Sequence, residues 1–157
     1  MTKSIEDAEL IAKNMLLKFG DLSPFMLVEG TTSRTMVPLN SLPETAQERV
    51  AAVFDIGSDM AVQRNVGKLN SVVFVSKGWL AQLKEKSLPG FRPSRDPQRI
   101  EAVVIVALHV DLDKQESLTF QITRDMKGNF SLLEPFPMDG EPLSPLLPAF
   151  VKGYNLM

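Results

Sequence analysis

The chain has 157 residues, no cysteine, a formal net charge of −2 and 44% hydrophobic residues. That length suits a single core, which buries roughly 70% of the surface of the unfolded chain without a disulfide or metal staple. The absence of cysteine excludes disulfide frameworks, thiolate zinc sites and thiol nucleophiles, and the slight acidity argues against nucleic-acid and anionic-membrane partners, which reward clustered Lys and Arg.

The first residues, 1–9, are polar and carry acids, unlike a signal or transit peptide. The longest apolar run, 102–108, is strand-sized and far short of the roughly 20 residues that span a bilayer. The sequence therefore reads as soluble and cytoplasmic. Ser4 and Asp7 resemble a capping box, and Ile5, Ala8, Ile11, Ala12, Met15, Leu16 and Phe19 recur at helical steps. This predicts an amphipathic helix over 5–19, stopped by Gly20. Residues 24–29 and 34–39 read as a hairpin around a turn at 30–33. Ser41 and Pro43 announce a second helix with Ala46, Val50, Val53, Phe54, Gly57, Met60 and Ala61 on its apolar face. Gly57 is expected to mark close approach of helix to sheet, and Gly67 to end the helix.

Residues 71–76 (SVVFVS) are apolar in succession, as in a strand covered on both faces, and Trp79 follows directly. Residues 84–98 hold Pro89, Gly90, Pro93 and Pro97 without a helical period, predicting a long loop of a kind that is often functional. The strongest strand is 99–111. A polar turn over 111–117 leads to 118–123, where Leu118, Phe120 and Ile122 alternate with polar residues. A turn at 127–129 precedes a last strand, 130–134. The order α-β-β-α-β-β-β-β predicts an α+β fold, a mostly antiparallel sheet of about six strands with both helices on one face. The two doubly apolar strands belong at its centre.

Residues 1–134 are thus expected to form one α+β domain, and 135–157 a proline-rich apolar tail. Pro135, Pro137, Pro142, Pro145 and Pro148 bar the tail from a central strand. Leu143, Leu146, Leu147, Phe150 and Tyr154 make it too apolar to stand in water. It should lie on the domain or on a partner subunit, and the latter points to a homo-oligomer, most simply a dimer.

The motif-like stretch is 79–101. Arg92, Arg95 and Arg99, with Ser94, lie on a loop stiffened by Pro93 and Pro97, a setting suited to bidentate recognition of phosphate or carboxylate. Trp79 would add an aromatic face, and a small anionic ligand follows. The plainer reading pairs Arg99 with Glu101 and Arg95 with Asp96, and uses Trp79 to cap the core. Trp79 with Pro93, Ser94, Pro97, Arg99 and Glu101 (Pro-Ser-x-x-Pro-x-Arg-x-Glu) resembles a family of small uncharacterised proteins of bacteria, archaea and their phages. The resemblance covers about a third of the chain. It implies that the loop and its flanking strands form a shared structural unit, and it carries no activity.

His109, Asp111 and Asp113 are spaced to face one way along a strand and to share a divalent cation. Asp111 and Asp113 equally suit a turn. A Ser–His–acid triad through His109 has no accompanying nucleophile elbow, and the phosphate-loop spacings are missing. Glu29, Glu101 and Glu134 form an acidic set only if the fold gathers them. No cofactor is expected. These features favour a non-catalytic binding or interaction module that self-associates and uses 79–101 for recognition. The alternative is a small hydrolase or nucleotide- or phosphate-binding enzyme built on the loop 92–101.

Overall fold

The computed structural model describes residues 3–39, 42–43, 45–80, 100–112, 114–124, 130–132 and 145–156. Among them the chain is α+β: three helices, five full strands in one antiparallel sheet, and a three-residue strand that extends it. The elements are α1 (Lys3–Phe19), β1 (Phe25–Gly30), β2 (Arg34–Pro38), α2 (Ala46–Gln63), β3 (Leu69–Leu80), β4 (Ile100–His109), β5 (Lys114–Arg124), β6 (Phe130–Leu132) and α3 (Leu146–Tyr154). The sheet order is β2-β1-β3-β4-β5-β6. The doubly apolar strands β3 and β4 are central, as their composition predicts, and pair from Ser71↔His109 to Leu80↔Ile100.

The helices do not share a face. α1 covers one side, where Ile5, Ala8, Ala12 and Leu16 pack on Leu27, Val73, Ile105 and Phe120. α2 and α3 cover the other, where Val53, Met60, Leu147 and Phe150 pack on Met26, Val72, Val106 and Leu108. The reason lies in β3 and β4 themselves. Strands apolar on both faces need cover on both faces, and two helices on one side would have left the other wet.

The cover that the sequence reading lacked comes from the tail. Residues 146–154 form a helix despite Pro145 and Pro148, because Pro145 is the N-cap and Pro148 sits in the first turn, where an N–H has no partner in the helix. Leu147 and Phe150 are fully buried in their own chain, and complete burial of such a side chain contributes about 1.5–3 kcal/mol. Where α2 and α3 cross, their backbones touch. A Cβ on Gly57 would lie 2.3 Å from the Phe150 carbonyl oxygen, and one on Gly153 would lie 2.0 Å from that of Phe54. Gly57 thus marks a close approach of helix to helix, not of helix to sheet.

Other boundaries also shift. α1 has begun by Lys3, so Ser4 and Asp7 do not cap it; Ser4 Oγ instead meets Ser71 Oγ at 3.0 Å and Asp7 accepts from Arg34. α2 starts after Thr45, whose hydroxyl accepts from the Glu48 N–H at 3.2 Å. It ends at Gln63, before Gly67, which at φ +87° turns the chain into β3. Trp79 falls inside β3. β5 begins at Lys114 and not 118, since 114–117 pair with 106–109 of β4 after a short 3-10 turn, Val110–Leu112.

Candidate functional site

Of the residues singled out in the loop, Arg92, Ser94, Arg95 and Arg99 lie outside the described residues. Trp79 and Glu101 are register partners in β3 and β4, the two central strands. Glu101 is engaged there by Lys77, 3.1 Å away, and Lys77 Nζ also lies 2.6 Å from Asp21. Register explains the meeting, because 77 and 101 project to the α1 face just beyond the end of that helix. Burial opposes the Lys77 charge, but hydrogen bonds and the negative charges of Asp21 and Glu101 outweigh it and hold the ammonium above its ordinary value of 10.5.

The proposed metal ligands do not converge. Beyond His109 the chain leaves the extended conformation, so the two-residue alternation ends where it would be needed. Asp111 is two-thirds exposed and 4.0 Å from Lys68, whereas His109 turns to the α1 face with Nε2 3.3 Å from Glu116 Oε2. Asp113 lies outside the described residues, and among those described no three His, Asp or Glu side chains gather to hold a metal. Glu134 is likewise outside them, so the acidic set has no geometry here.

α1, β3, β4 and β5 instead bring together a polar cluster that sequence spacing did not indicate. Ser71 is the register partner of His109, Ser4 reaches Ser71 from α1, and Glu116 lies diagonally across β5. His109 Nε2 is buried and, despite its nearness to Glu116, has no aligned hydrogen bond. Ser71 is 4% exposed under α1, so a nucleophile there would have no approach for a substrate. The cluster fills the end of the core and does not present a triad to solvent.

Among the described residues, one open edge of the sheet is β2. Gly30 N–H donates to Ser33 C=O at 3.0 Å and Leu39 N–H to Pro24 C=O at 2.9 Å. These bonds set the phase of the ladder: 33, 35, 37 and 39 turn their backbone groups toward β1, and Arg34, Met36 and Pro38 turn theirs outward. Met36 is 41% exposed. Above the edge, the side of α2 away from α3 carries Ile56, Asp59, Met60 and Gln63 at helical steps. With Arg64 and Val37 these line a shallow groove of about 140 Å³. Val62, on the same turn of α2, is also exposed. The sequence signal for this surface was the short strand 34–38, with a charge at one end and a proline at the other, a pattern of edge strands.

Among the described residues, no helix is long and apolar enough to cross a membrane. No family model, curated protein or solved structure matches the chain.

Proposed function

We propose that the chain is a non-catalytic binding or interaction module that self-associates, and that its contact surface is the β2 edge with the α2 row above it. The observation that carries this reading is the outward-facing backbone of Arg34, Met36 and Pro38 beside a groove lined by Val37, Ile56 and Met60. Open strand edges template pairing with another chain, and exposed apolar side chains beside them add the burial that association needs. The tail no longer supports self-association, because Leu146, Leu147, Phe150 and Tyr154 are buried within their own chain. The charged groups at the base of the loop are engaged as well: Lys77 is held between Asp21 and Glu101.

Thermal unfolding tests this reading against the enzyme alternative. A self-associating module melts at higher temperature as protein concentration rises, by mass action. It is indifferent to nucleotides and inorganic phosphate. An enzyme built on the loop would show the reverse: no concentration dependence, and stabilisation by a nucleotide or phosphate that Arg95→Ala and Arg99→Ala abolish. A ligand at about 100 times its dissociation constant adds roughly 2.7 kcal/mol, a readily visible shift.

A further inference from the structure

Resting on that reading of the β2 edge, we infer that its occupant is β2 of a second copy of this chain, paired antiparallel about a two-fold axis at Met36, so that the two sheets become one. Arg34, Met36 and Pro38 turn outward, and Pro38 has no N–H to give. A register centred on Met36 fits this pattern. The two Met36 residues exchange both of their backbone bonds, and each Arg34 N–H donates to the partner's Pro38 carbonyl. The donor that proline lacks then costs no more than one Arg34 carbonyl per chain, which remains accessible to water at the end of the pairing. Pro38 and the Arg34 charge also discourage longer or shifted pairings, as they do at the edges of other sheets.

The α2 row suits the same axis. A two-fold axis perpendicular to the sheet sets both α2 helices on one face and runs them in opposite directions. The groove above Val37 carries both an acid, Asp59, and a base, Arg64. Reversal sets this groove against its own copy, so that each side offers the other an opposite charge, with the partly buried Ile56 beside them. The surface is therefore complementary to itself in hydrogen bonds and in charge, as a two-fold interface must be.

The chain has no cysteine, so single-cysteine variants report the geometry without interference. Residues opposite each other in a hydrogen-bonded pair have Cα atoms about 5.5 Å apart, inside the roughly 4.4–6.8 Å that a disulfide spans. Under mild oxidation Met36→Cys should link to itself as a covalent dimer. Leu112→Cys, at an exposed site in the turn between β4 and β5, away from β2 in the sheet, should remain unlinked at the same concentration. Independently, Met36→Lys sets two like charges at the axis and should weaken self-association by roughly tenfold or more. Its thermal unfolding at low protein concentration should stay unchanged, since the Met36 side chain is already partly exposed. A wild type that self-associates while Met36→Lys does so equally and Met36→Cys links no faster than Leu112→Cys overturns this pairing and leaves the self-associating module standing. A wild type that is monomeric at every concentration overturns both.

Discussion

Tyr154→Phe removes one oxygen from the seam between α3 and the turn that leads into β3. Tyr154 Oη accepts from the Val66 N–H at 3.0 Å and lies 2.6 Å from the Gly67 carbonyl oxygen and 3.0 Å from Asn65 Oδ1. Its single proton serves the shorter contact to Gly67. Val66 is 1% exposed, so without the hydroxyl its N–H has neither a protein partner nor easy access to water. Leaving a buried donor unsatisfied costs about 1–3 kcal/mol. The ring is retained, together with its stacking on Phe150 at 6.3 Å between centroids, so the loss is confined to hydrogen bonding. For a chain of this size each kcal/mol moves the melting temperature by about 2–4 °C. Urea unfolding of wild type and variant measures the difference directly. Asn65→Ala should cost less, because Val66 keeps its acceptor, and the double variant should show coupling of about 0.5 kcal/mol or more. A Tyr154→Phe variant within about 0.5 kcal/mol of wild type would refute the claim that this hydroxyl locks the tail helix to the domain.

Three further outcomes follow from the packing. Gly153→Ala drives a methyl into the Phe54 carbonyl at the α2–α3 crossing. Overpacking of about 1–3 kcal/mol exceeds the helix-propensity gain of about 0.8–1.0 kcal/mol, so calorimetry should show a net loss, and equal or greater stability would contradict the crossing. Thr119→Val should stabilise the protein by about 1 kcal/mol or more, since Thr119 Oγ1 is buried without a partner; a loss in urea unfolding would mean the hydroxyl is satisfied. Lys77 has a folded-state pKa raised above its ordinary 10.5. Its ion pairs contribute stability that is fully present below that value and is lost as pH rises through the folded-state pKa. Lys77→Met should flatten the alkaline limb of the stability curve, and a variant whose limb still parallels wild type would remove the pair from the account.

The sequence made the sheet legible because β3 and β4 carry apolar residues in unbroken succession and β5 alternates from Leu118 to Ile122. Hydrophobic period fixes element type far better than it fixes what lies on which face. The placement of both helices on one side failed for that reason, although the double-sided strands already demanded two layers of cover. The third helix was hidden by its prolines, which read as breakers until their positions at the N-cap and first turn are known. The Thr45-x-x-Glu48 signature was in plain view and gave a better start for α2 than Ser41 and Pro43. The cluster of Ser4, Ser71, His109 and Glu116 was beyond reach, because it depends on cross-strand register and on where α1 lands. The groove beside β2 likewise needs the lateral position of α2, which no local pattern encodes. The arginines of the 92–99 segment lie outside the described residues, so their reading still rests on residue type and spacing.

Sedimentation velocity of the wild-type chain over a wide range of concentration tests self-association most directly. A two-fold self-associating chain gives a boundary that moves from the 17.4 kDa chain mass to twice that value as concentration rises, with no larger species, because such an interface closes on itself. A single species at the chain mass across the whole range would contradict it.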